Sequence, residues 1–222
     1  MKRMRITIKW STWICGLVMI FTACNQNASK TETTDTEQTE DHSGHDMETS
    51  STNNKMMDLM HQNMMAMQEM KMMGDVDHDF AQMMATHHEG ALAMAQEEAD
   101  NGKDTMLVNM AKKTLTAQKE EQNKLKNFTD SHEPVTKDTA SSMKLMQPMK
   151  AMIAGMDHNM KGTTDHHFAS LMSMHHQSGI NMAKAYLPHA KIPELKTMAQ
   201  KIIDDQQKEK QQLDSWLQEQ PK

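Results

Sequence analysis

The chain has 222 residues, with 30 Asp and Glu against 24 Lys and Arg. That acidic balance argues against a nucleic-acid partner, whose phosphates need a basic face, and suits a cation-binding protein. Its 28 methionines outnumber Leu, Ile and Val together (12, 9 and 4), more than the use of Met as a flexible core filler calls for.

The first element is a targeting segment, expected at 1–23. Lys2, Arg3, Arg5 and Lys9 form a basic start, and the apolar run Trp10 to Phe21 is too short to span a bilayer but suits a signal sequence. It leads into Phe21-Thr22-Ala23-Cys24, which resembles a bacterial lipobox with Phe21 where Leu is usual, so Cys24 is the expected lipidation site. Cleavage there would leave one lipidated cysteine, no disulfide, and 20 basic against 30 acidic residues. The expected location is therefore the cell envelope, lipid-anchored on the periplasmic or extracellular face of a bacterial membrane.

Residues 24–54 follow as a polar tether rich in Thr, Glu, Ser, Asp, Asn and Gln. With almost no apolar side chain it cannot offset its ordering entropy, so disorder is expected. His42, His45 and Met47 lie close together in it and are possible additional metal ligands.

The remainder carries an internal repeat at a constant offset of 88 residues, assigned as 55–142 and 143–220. "DFAQMMATHHEGALAMA" at 79–95 returns as "HFASLMSMHHQSGINMA" at 167–183. Each unit predicts a Met-rich helix followed by a helical hairpin. The Met helices carry Met57, Met60, Met64, Met67 and Met70, then Met143, Met146, Met149, Met152, Met156 and Met160, at spacings that keep the sulfurs on one helix face. Gly74 and Gly162 are expected to end them. Of these, Met60, Met64, Met146, Met149, Met152 and Met156 are possible additional metal ligands.

In the first hairpin the apolar spacing runs through Phe80, Met84, His87, Ala91 and Met94, and then through Leu107, Met110, Thr114, Ala117, Glu121, Leu125 and Phe128. Asp100-Asn101-Gly102 breaks this hairpin, and the Pro188 to Pro193 segment breaks the second. No strand alternation occurs, so an all-α fold is expected, its two hairpins packing most simply as a four-helix bundle with His87 and His175 at its interior or seam.

The candidate metal ligands are Met84, His87, His88 and Met94, repeated as Met172, His175, His176 and Met182, two thioethers and two imidazoles expected to converge in each hairpin. Thioether is a soft neutral ligand that favours Cu(I), while imidazole also accepts Cu(II), Zn and Ni. Met and His without Cys therefore point to copper, as Cu(I), or to silver.

The repeated pattern F-x-x-x-M-x-x-H-H-x-x-x-x-x-M-A, followed by Q-x-x-E-x-x-x-L-x-x-F/W, resembles the DUF305 family over about 55–218. Members of that family include a cyanobacterial periplasmic copper-binding protein of the CopM type. The resemblance implies a ferritin-like four-helix bundle and a role in copper homeostasis or resistance. Gln118, Glu121, Gln206 and Glu209 match its second-helix signature, and a supporting role is assigned to them, orienting the imidazoles from behind. The function expected is non-enzymatic binding or buffering of Cu(I) or Ag(I), with an unidentified protein receiving the metal. A ferritin-like metal-dependent oxidase is the alternative, but such bundles use Glu-x-x-His, and the repeats read His-His-Glu-Gly and His-His-Gln-Ser. A third reading, a metal-free envelope stress or interaction protein, leaves the paired histidines unexplained.

Overall fold

The computed structural model describes residues 55–135 and 138–220. Within them the order is α1 (Lys55–Gln68), α2 (Val76–Asn101), α3 (Thr105–Ser131), α4 (Thr139–Leu145), α5 (Gln147–Ala154), α6 (Thr164–Tyr186), a 3-10 turn (Leu187–His189) and α7 (Pro193–Glu219). The fold is all-helical, with no strand among the described residues. The expected targeting segment and polar tether, with Cys24, His42, His45 and Met47, lie outside them.

Local chemistry fixes the helix starts. Asp75 accepts from the N–H groups of Asp77 and His78 to cap α2, and Asp104 accepts from Met106 and Leu107 to cap α3. Thr163 caps α6, whereas α7 opens on Pro193, whose missing N–H costs nothing in a first turn. Gly102 ends α2, and the chain reverses within three residues into α3.

Each hairpin, α2 with α3 and α6 with α7, is closely packed, and the two join through α2 and α6. These two helices run antiparallel. His87 opposes His175 at their middles, while Phe80 near the start of α2 stacks on Tyr186 at the end of α6. Lys201 on α7 reaches Glu121 on α3 at 2.8 Å, and Trp216 Nε1 donates to the Asp104 carboxylate at 3.0 Å, tying the outer helices together. Helix α1 lies against α2 and α6, and α5 lies against α6.

The Met-rich segments differ from expectation. The second is not one helix to Gly162. Pro148, without an N–H, separates α4 from α5, and the segment leaves helical geometry at Gly155, so Met156 and Met160 lie in the following turn. Met143 is exposed rather than part of the buried stripe. Likewise α1 stops at Gln68, before Met70. Gly74 (φ 84°) and Gly162 (φ 152°) do not end these helices. They turn the chain into α2 and α6, in backbone regions open mainly to glycine. The assigned unit boundary at 142/143 falls within α4.

On α3, Ala117 is exposed, and Gln118 is buried in its place. The buried line runs through Leu107, Met110, Ala111, Thr114, Gln118, Glu121, Gln122 and Leu125. Apolar periodicity selected the alanine, yet the face turned to α2 at this level carries polar side chains. Of the repeated aromatics Phe80 and Phe168 are fully buried, while Phe128 and Trp216 pack at the margins.

Candidate functional site

The apolar interior divides into two clusters. One holds Phe80, Met84, Met182 and Tyr186, and the other Met94, Phe168 and Met172, so each mixes methionines from both hairpins. Between them lies a polar layer formed by His87, His88, His175 and His176, all 0 % exposed. The His87 and His175 rings stack with centroids 3.6 Å apart and planes 27° from parallel.

The hydrogen bonds identify the donor nitrogen of three rings. A main-chain carbonyl can only accept, so His87 Nε2–H donates to the His175 carbonyl at 3.1 Å. His88 Nε2–H donates to Glu121 Oε2 at 3.1 Å, and His176 Nε2–H to Glu209 Oε2 at 2.8 Å. The Nδ1 atoms of all four histidines, and Nε2 of His175, are buried without a hydrogen-bond partner. The side-chain amides of Gln118 and Gln206 and the hydroxyls of Thr114 and Ser178 are in the same condition. Such groups cost about 1–3 kcal/mol each when left unpaired, so their concentration in the buried interior calls for a ligand or another purpose.

Electrostatics keep the central rings neutral. Burial pushes His87 and His175 well below the usual imidazole range, and the neighbouring imidazoles reinforce that shift. For Glu121, burial acts upward, but the hydrogen bonds from His88 and Lys201 outweigh it and its carboxyl sits below the usual range. An ionised Glu121 is the acceptor His88 meets. Gly179 permits the close approach in this layer. A Cβ there would collide with the Gln206 amide oxygen and come within 2.9 Å of His87 Cε1.

Residues 22–129 and 128–217 match the family model described as "Domain of unknown function (DUF305)". The chain belongs to the DUF305 family. No curated protein and no solved structure matches it. The two matched segments of this DUF305 protein meet at 128–129, so α4 and α5 go with the second.

The expected ligand set is brought together only in part. Met84 lies one turn before His87, and Met172 one turn before His175 on the antiparallel partner. Met94 and Met182 lie seven residues beyond their histidines, about 10.5 Å along the helix axis. They sit in the apolar clusters with Phe168 and Phe80 respectively, so the four candidates of each hairpin do not converge. The correction follows from antiparallel pairing, which places the two Met-His turns on opposite sides of one shared layer. Met60, Met64, Met152 and Met156 belong to the cluster of Phe168, and Met146 and Met149 to that of Phe80. Among the described residues no group of three or more His, Cys, Asp or Glu is arranged to hold a metal ion, so a site here would combine imidazole with thioether.

Two features escaped the sequence analysis. Asp77 accepts from Tyr186 Oη at 2.5 Å and from the backbone N–H groups of Lys191 and Ile192. Asp165 accepts from the backbone N–H groups of Lys103 and Asp104, beside the Glu98 carboxyl, whose two oxygens are buried and have no other partner. Each aspartate near the start of one hairpin thus holds the turn of the other. The 88-residue offset relates Asp77 to Asp165 and Glu98 to Tyr186, a signal present in the sequence. His61 and His158 also stack, 5.2 Å apart.

Proposed function

We propose that this DUF305 protein binds and buffers Cu(I) or Ag(I) in the cell envelope, on a ferritin-like bundle held to a membrane through a lipidated Cys24. The observation that carries the metal reading is the buried layer of four imidazoles whose Nδ1 atoms have no hydrogen-bond partner, flanked by Met84 and Met172. Neutral nitrogen and thioether donors offer little charge attraction to a hard cation and match a soft monovalent one. Glu121 and Glu209 support that reading, because each holds a ring by its far nitrogen in the manner of carboxylates behind metal-bound histidines. No helix among the described residues is long and apolar enough to cross a membrane.

The deciding experiment is Cu(I) titration of the protein against a chromophoric competitor, with copper-edge X-ray absorption of the loaded form. The expected spectrum contains both imidazole nitrogen and thioether sulfur. Replacing His87, His88, His175 and His176 by Ala should remove the tightest sites, with far-UV circular dichroism confirming a helical fold. A parent protein that binds no Cu(I), or whose spectrum lacks sulfur, would defeat the reading.

A further inference from the structure

Outside the buried layer, the structure brings together a second histidine pair that the repeat does not encode. His61 stands in the middle of α1, and His158 in the turn that follows α5. Their rings face each other at 5.2 Å with planes 30° apart. His61 is partly covered and His158 exposed, so solvent reaches the pair, unlike His87 and His175. Stacking of two small rings at such a solvent-reached position contributes little stability.

Methionines flank both members of the pair. On α1, Met57 and Met64 lie one turn to either side of His61, on its face of the helix. Met156 and Met160 flank His158 two residues away on each side. All four belong to, or pack against, the same apolar cluster, which joins α1 to the turn after α5. Met156 is 7 % exposed and Met64 4 %, so the methionines flanking the pair are buried while its imidazoles reach solvent. The turn itself is short and polar, with Asn159 N–H donating to Asp157 at 2.9 Å.

We propose that His61 and His158, with thioethers from Met57, Met64, Met156 and Met160, form a second, solvent-facing site for a soft monovalent cation. This site rests on the soft-metal reading above and adds a role to it: the buried layer retains the ion, while this surface pair exchanges it with solution or with a carrier. Its imidazoles can meet a cation without opening the helices. Ligation would join the turn at 155–160 to α1, two elements that otherwise meet through apolar contacts.

The test uses Ag(I), which is redox-inert, and Cu(I) with a competing chelator. In the parent, substoichiometric Ag(I) should shift the His61 and His158 Cε1–H resonances in NMR spectra. The His61→Ala/His158→Ala variant should bind one equivalent of Cu(I) fewer and release its copper to chelator at least tenfold more slowly in the initial phase. The fourfold Ala variant of the buried histidines should retain the fast-exchanging equivalent. Ala is favourable within α1 and harmless in the exposed turn, so the surface variant keeps its fold. An unchanged Cu(I) count with unchanged release kinetics in the surface variant, when the parent does bind Cu(I), overturns this site alone. A parent that binds no Cu(I) overturns it together with the buried site.

Discussion

The two ends of the α2–α6 pair occupy equivalent positions in the repeat and are held by different chemistry. At one end Tyr186 donates its hydroxyl to Asp77 and stacks on Phe80, with ring centroids 3.9 Å apart. At the other, Asp165 pairs with Glu98, a second carboxyl. The tyrosine carries its proton at any ordinary pH, its pKa raised further by burial and by Asp77. Glu98 can fill the same place only when protonated. Burial, and then the charge and hydrogen bond of Asp165, push it up to about 8. Duplication preserved the architecture of the lock while allowing its proton donor to change, so the donor at one end keeps its proton across the ordinary pH range and the donor at the other does not.

The largest effect is expected from removing the permanent donor. Tyr186→Ala would abolish the ring stack and the hydrogen bond, and should cost about 3–5 kcal/mol in chemical denaturation. Tyr186→Phe, which keeps the stack on Phe80, should cost about 1–3 kcal/mol by leaving a buried carboxylate short of one donor. Equal losses for Ala and Phe would mean that the hydroxyl, not the ring, carries the whole contribution.

A smaller effect, confined to a pH window, belongs to the other end. Glu98 has a folded pKa of about 8 against an ordinary 4.5. Between these values the folded state holds a proton that the unfolded state has lost. Stability should therefore fall as pH rises through the window, by at most about 1.4 kcal/mol per pH unit. Asp165, whose carboxyl is drawn down by backbone N–H groups and Glu98 against the upward push of burial, contributes in the opposite sense below the ordinary Asp range. Glu98→Gln supplies an amide donor without titration and should flatten the decline between pH 5 and 8. Parallel pH–stability curves for the parent and this variant would show that Glu98 is not the proton carrier.

The hairpins were legible in the sequence because the repeat conserves identical residues at the helix middles, from Phe80 with Phe168 to His176. The ends were not, because Glu98 and Tyr186 perform one task with unlike side chains that a search for identity passes over. The Met stripes kept helical spacing, but spacing alone cannot register that Pro148 and Gly155 interrupt the backbone beneath it. Gln118 was assigned by family pattern and Ala117 by hydropathy. The structure buries the glutamine, since the layer it faces is polar. Met94 and Met182 share a helix face with the histidines but lie two turns beyond them, and face periodicity does not register that distance along the axis. The pairing of His61 with His158 depends on the path of a turn, which no periodicity encodes.

The smallest stability effects are expected where the repeats hold the same residue, and here the comparison predicts matched responses in place of unlike ones. Met94 and Met182 are equivalent, both buried among apolar side chains, and replacement of either by Leu conserves volume, so each should cost less than about 1.5 kcal/mol. Met84 and Met172 should be as tolerant for the same reason. The two pairs separate in a second measurement. Met84 and Met172 lie one turn from His87 and His175, so Met84→Leu with Met172→Leu should weaken Cu(I) binding by at least tenfold against a competing chelator, while Met94→Leu with Met182→Leu leaves it within about twofold. Equal weakening by both double variants would return Met94 and Met182 to the ligand set and show that the helices rearrange around the ion. Unequal stability losses within either pair would break the symmetry at its best-conserved positions.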